Sequence, residues 1–198
     1  MPHKVNDLLN QIKQLEDELA ETLREKQRQA RYHLDGKRIE FEQSIAQTHR
    51  RLKRSLLKTL FVDRPQNMLT SPIIYGMAIP LVLFDVLISF YQYTCFPIYG
   101  VARVKRRHYF IYDRDQLQYL NLIQKINCQY CAYGNGLMGY ASEIIARTEQ
   151  YFCPIKHAQK RLGAHPRYHT FSEFGDGEHF SAEQKRLRKA LREDKLNT

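Results

Sequence analysis

PIIYGMAIPLVLFDVLISFYQYTCFPIYGVA, residues 72–102, carries a single charged side chain, Asp85, in an otherwise apolar and aromatic run. At 1.5 Å per residue, about 20 apolar residues cross the hydrocarbon of a bilayer, so this stretch is long enough to cross once. Two full crossings would need about 40 residues and a turn, which it does not supply. Tyr75, Tyr91, Tyr93 and Tyr99 suit the interfacial belts of a membrane segment. Arg103, Lys105, Arg106 and Arg107 close the run on one side, and Arg50, Arg51, Lys53 and Arg54 precede it on the other. Both basic groups are read as lipid contacts. Because the flanks are equally basic, charge asymmetry does not orient the segment. A kinked single span and a re-entrant hairpin bent at Pro80 or near Asp85 both stay open. Asp85 is expensive in hydrocarbon and is expected to face protein, water or headgroups, which makes it a candidate functional residue within the membrane. The soluble alternative is a buried hairpin.

The second informative pattern is Cys128-x-x-Cys131, a long gap, then Cys153-x-x-x-His157. Two thiolates from a tight knuckle, with a Cys and a His on one helical face, could fill a tetrahedral Zn2+ site with no position left for water. Tyr133-Gly134-Asn135-Gly136 would turn the knuckle. Leu137, Tyr140, Ala141, Ile144, Ile145, Tyr151 and Phe152 follow helical spacing between the ligand pairs. Cys153 would then cap a new helix with Pro154 at its first position. An iron–sulfur cluster or a redox-active dithiol at Cys128 and Cys131 is the alternative use, though the βαβ context of a thioredoxin-like motif is missing. His165, His169 and His179 are possible substitute ligands.

Upstream, Val5 to Arg31 places Leu8, Ile12, Leu15, Leu19 and Leu23 at spacings of three and four among charged residues, a coiled-coil pattern open to self-association. Gly36 interrupts it, and a second periodic run passes through Phe41, Ile45, Leu52, Leu56 and Leu60, giving two helices or one long helix with a break; packing of a solvated helix on its own protein is the alternative to self-association. Downstream, His108 to Asp113 reads as a short strand, and Asp115 as the N-cap of a helix carrying Leu117, Leu120, Ile123 and Ile126. Ser181 is placed to cap a last basic helix.

The net charge of +10 fits an anionic partner. The basic clusters flank the apolar run, so lipid explains them more economically than nucleic acid. Four cysteines, two of them in CxxC, point to a reducing compartment. No early apolar segment marks a signal peptide, and no P-loop, GxSxG, HExxH or dinucleotide motif occurs.

The motifs Cys95-Phe-Pro-Ile-Tyr-Gly, Tyr112-Asp-Arg, Cys128-x-Tyr-Cys-x-Tyr-Gly-Asn-Gly and Arg147-Thr-Glu-Gln-Tyr-Phe-Cys-Pro-Ile-Lys-His-Ala resemble a family of uncharacterised bacterial membrane-associated proteins. The resemblance covers roughly residues 40–180. It implies a membrane-associated bacterial protein and brings no activity; the expected location is the bacterial inner membrane, with the soluble parts in the cytoplasm.

These readings predict a mainly α protein: a helical, coiled-coil-like arm over 1–64, a membrane segment over 65–107, a Cys/His helical domain over 108–180, and a short basic helix and tail over 181–198. The expected function is a membrane-anchored, non-enzymatic scaffold or interaction module with a structural zinc site. Its expected partners are the bilayer and, through the N-terminal helices, a second copy.

Overall fold

The computed structural model describes residues 2–29, 32–35, 38–41, 48 and 65–196. The basic group Arg50, Arg51, Lys53 and Arg54 lies outside them, as does the periodic run beyond Phe41. The chain is mainly α-helical and divides into two compact units, Met1–Thr59 with Asp113–Lys125, and Leu60–Tyr112 with Ile126–Thr198.

In the first unit, α1 (Pro2–Gln29) is the expected amphipathic helix. Its seam residues Ile12, Leu15, Leu19 and Leu23 are 51–64 % exposed. Beyond it the chain forms an antiparallel hairpin of β1 (Tyr32–Asp35) and β2 (Arg38–Phe41), with Tyr32 opposite Phe41 and Asp35 opposite Arg38. The β-forming Tyr32, Ile39 and Phe41 and the helix cost of Gly36 account for the hairpin.

Asp115 does not start a helix either. It lies in a 3-10 turn, Arg114–Gln116, and α4 (Leu122–Phe152) begins later. Asn121 Oδ1 accepts the Gln124 N–H at 2.9 Å, and Gln124 Oε1 accepts the Asn121 N–H at 3.0 Å. This reciprocal capping box satisfies two otherwise orphaned donors and fixes the start of α4.

The second unit is built on α2 (Pro65–Gly76) and α3 (Ala78–Tyr99). Pro80 has no N–H to offer the carbonyl four residues back, which loosens one turn at Met77. The helical bonds Met77 N–H to Ile73 and Leu81 N–H to Met77, both 3.3 Å, cross that turn. The apolar run is therefore one helix from Leu69 to Tyr99, not a re-entrant hairpin. It ends at Gly100, whose φ of 69° admits the left-handed cap. The Val101 N–H then closes on the Phe96 carbonyl at 2.9 Å.

From Gly100 the chain runs back along α3, placing Val104 beside Gln92 and Arg106 beside Asp85. It contains the 3-10 turn Arg106–His108 and no strand at 108–113. α4 then runs parallel to α3: Tyr130 meets Ile74, Tyr133 meets Asp85, Tyr140 meets Gln92 and Tyr151 meets Tyr99. Gly134 to Gly136 lie inside α4 and make no turn. A Cβ at Gly136 would come within 2.8 Å of the Tyr109 carbonyl, so this glycine admits the returning backbone against the helix. Phe96, Val101, Val104, Leu137, Tyr140, Ile144 and Leu191 form the core between these layers.

α4 stops at Phe152 because Pro154 disfavours the helical conformation at Cys153. Residues 153–157 are irregular, with a tight turn from the Ile155 N–H to the Cys153 carbonyl and a bridge from Ile155 to Ser172; the helix that the sequence predicts to start at Cys153 is not formed. α5 (Phe180–Leu196) begins one residue before Ser181 and buries Leu187 and Leu191. Arg188 Nε and Gln184 Nε2 donate to the last carbonyls of α4, at Tyr151 and Phe152.

Candidate functional site

α3 has two faces of opposite character. Ile79, Val82, Leu83, Val86, Leu87 and Phe90 follow at i, i+3, i+4, i+7, i+8 and i+11 and are 50–76 % exposed. At 100° per residue these positions cover an arc of roughly 140°. Leu69 and Ile73 on α2 are also exposed, and Ile98 is exposed near the far end of α3. Leu69–Tyr99 is long and apolar enough to cross a membrane.

The opposite face carries Asp85, Ser89, Gln92 and Phe96 at i, i+4, i+7 and i+11, and Asp85, Gln92 and Phe96 are buried. Asp85 takes Arg106 in a two-pronged pair, Nη1 to Oδ1 at 2.5 Å and Nη2 to Oδ2 at 2.6 Å. Tyr133 Oη donates to Oδ2 at 2.9 Å, and Ser89 Oγ to Oδ1 at 3.3 Å. The Arg106 guanidinium also lies 3.9 Å from the Phe110 ring centre. Gln92 accepts the Val104 N–H at 2.9 Å and donates to the Tyr140 hydroxyl. A segment without a sheet partner leaves backbone groups to be paired otherwise, and the Gln92 amide pairs both the N–H and, at 3.5 Å, the C=O of Val104. Burial, and next the bond to Asp85, push the Tyr133 phenol up to about 12.

The sequence places Arg106 among the lipid contacts; the structure pairs it with Asp85 and leaves 45 % of its side chain exposed. Along the returning segment, Ala102 and Val104 are buried while Arg103 and Arg107 are exposed. The Arg103 guanidinium sits 4.9 Å from the centre of the Tyr93 ring, at the border of the apolar arc.

The expected zinc ligands are not brought together. Cys128 and Cys131 lie one turn apart within the uninterrupted α4, and Cys153 follows its last residue. With 1.5 Å of rise per residue, Cys131 and Cys153 are separated by about 33 Å along the axis. His157 stacks on Tyr168, with ring centres 6.2 Å apart, and its N–H donates to the Tyr168 hydroxyl at 2.6 Å. All four cysteines are free thiols. Among the described residues no group of three or more His, Cys, Asp or Glu side chains is placed to hold a metal ion. Of the substitute ligands, His165 is buried with Nε2 3.0 Å from Glu149, His179 is exposed beside Asp176, and His169 is exposed.

The sequence alone does not single out Ser89, Gln92, Tyr133 and Tyr140 as functional. A signal was present: the polar residues of the apolar run share one helical face, and the two tyrosines stand seven apart on α4.

Asp85 lies at the middle of Leu69–Tyr99, so Arg106 and the irregular backbone beside it stand at the helix's mid-height. An Arg or Lys at the centre of a bilayer costs roughly 2.5–3.5 kcal/mol, and irregular backbone is tolerated there only when shielded from lipid. α4 runs alongside with Glu143, Arg147 and Glu149. Arg167 ties this helix to α5, donating to Glu143 at 3.0 Å and to Asp194 at 3.1 Å. Comparison of the chain with protein-family models, with curated proteins and with solved structures finds no match.

Proposed function

We propose that the chain is a membrane-anchored, non-enzymatic module, a scaffold that holds its C-terminal helical region against lipid through α3. One observation carries this reading: Asp85, Ser89 and Gln92 lie on the face of α3 that packs on protein, while Ile79, Val82, Leu83, Val86, Leu87 and Phe90 leave the outward arc apolar and exposed. Soluble monomers rarely expose contiguous apolar patches larger than a few hundred Å2, and burial of such area is worth about 25 cal/mol per Å2. Lipid covers the arc without a protein partner.

The surroundings of Asp85 favour a structural role. Arg106, Tyr133 and Ser89 occupy its carboxylate, and the group thereby fastens the returning segment to α3. The exposed seam of α1 offers a second valence, a face for the same helix of another copy. Placement in the bacterial inner membrane, with the remaining segments in the cytoplasm, belongs to this proposal. Zinc does not, because the four ligands are not assembled.

The test is fractionation of cells expressing the full chain. The protein is expected in the membrane pellet, resistant to a high-salt wash and extracted by detergent. Recovery in the soluble fraction would refute anchoring, and release by salt alone would reduce it to surface electrostatics.

A further inference from the structure

The manner of anchoring follows from what is packed against α3. A spanning helix presents lipid or other membrane helices all round, whereas one whole side of α3 is covered by protein of another kind. The returning segment, with Arg103, Lys105, Arg106 and Arg107, passes its middle, and α4 accompanies the apolar helix from Ile74 to Tyr99. A perpendicular α3 would carry this charged, irregular backbone to the bilayer centre. Laid flat, α3 keeps all of it on the water side and immerses only the outward arc.

We propose that α3 lies in the plane of an anionic phospholipid leaflet, at the boundary between headgroups and acyl chains, and does not cross it. This rests on the reading that α3 meets lipid, and it specifies the geometry and the kind of lipid. A helix that meets lipid through one face sinks roughly 5–10 Å into that boundary. Charge complementarity selects the lipid. Arg103 and Arg107 are exposed along the returning segment, and the contact with Tyr93 places Arg103 at the edge of the arc. Guanidinium groups at that edge meet headgroup phosphates when the arc is immersed. A second copy covering the arc would bury the apolar residues equally well, and the experiment below separates the two.

The chain contains no tryptophan, so single substitutions give an unambiguous fluorescent depth gauge. Leu69→Trp, Leu83→Trp and Ile98→Trp sit near the start, middle and end of the exposed face. Each full-length variant is mixed with vesicles of phosphatidylcholine, alone or with phosphatidylglycerol, and floated. Tryptophan depth is then read with phospholipids brominated at different acyl positions. In-plane docking predicts one shallow depth for all three positions. It also predicts stronger flotation on the anionic vesicles, falling about fivefold for each of Arg103→Gln and Arg107→Gln. A deep indole in Leu83→Trp, with shallow ones in Leu69→Trp and Ile98→Trp, would overturn the in-plane geometry while leaving anchoring intact. Equal flotation on both lipids, unaffected by the two arginine substitutions, would overturn the anionic preference. Failure to float, with the indoles buried in a dimer in solution, would overturn both the geometry and the anchoring beneath it.

Discussion

The Val104 N–H donates to Gln92 Oε1 at 2.9 Å, inside a pocket of protein where Gln92 is 1 % exposed. A side chain thus supplies the bond that a neighbouring strand would supply in a sheet, and the returning segment is held to α3 by it. Gln92→Leu removes the acceptor and leaves a buried N–H unpaired. We predict a loss of about 1–3 kcal/mol of unfolding free energy. Gln92→Glu keeps the acceptor but buries a carboxyl group and drops the donor to Tyr140, so its loss should be at least as large. Denaturant midpoints in detergent compare the two; equal midpoints for wild type and Gln92→Leu would contradict the role given to this bond.

Asp85 and Arg106 should couple. Removing one partner of a fully buried pair costs about 3–5 kcal/mol, and the exposure of Arg106 brings the expectation for Asp85→Asn down to about 2 kcal/mol. In a double-mutant cycle with Arg106→Gln the two losses should be far from additive. Additive losses would mean that the pair, despite its geometry, fastens nothing.

Gly136→Ala places a methyl where the Tyr109 carbonyl now lies, 2.8 Å away. The obstacle is backbone and cannot rotate aside, so a loss of about 1–3 kcal/mol is expected. The same substitution at Gly177, where nothing lies within 4 Å, serves as the control. Thermal melts that rank the two in the opposite order would contradict the close approach.

Tyr133 has a measurable signature in alkali. Its folded value of about 12 stands above the ordinary 10, so the unfolded chain gives up this proton first as pH rises. Its contribution to stability is complete below about pH 10 and is lost as pH climbs through about 12. A spectrophotometric titration of wild type minus Tyr133→Phe should show one tyrosinate step near pH 12. A step at the ordinary value of 10 would show that the phenol is not held by burial and Asp85.

The long apolar helix and the N-terminal amphipathic helix were legible because each has a period or a length that few other structures share. The place of Asp85 was half legible: its cost in hydrocarbon predicts a polar partner, but the partner Arg106 reaches it only because the chain doubles back after Gly100. Doubling back depends on close packing at Gly136, and the same glycine-rich stretch, read alone, suggests a turn. That ambiguity produced the zinc expectation. Cys128, Cys131 and Cys153 fit a knuckle only if the chain bends at Gly134–Gly136. Within an unbroken α4, capped by Asn121 and Gln124, the bend is absent and the ligands are spread along the helix.

The central claim is that the outward arc of α3 meets lipid, and one comparison tests it most directly. Val86 is 60 % exposed at the middle of that arc, so Val86→Glu should leave the fold undisturbed, which circular dichroism can check. Flotation of purified wild type and of Val86→Glu with vesicles containing phosphatidylglycerol then reads the membrane contact alone. Wild type is predicted to float and the variant to remain largely at the bottom of the gradient with its helix content unchanged. A folded Val86→Glu protein that floats as well as wild type, or a wild type that does not float, would contradict the account.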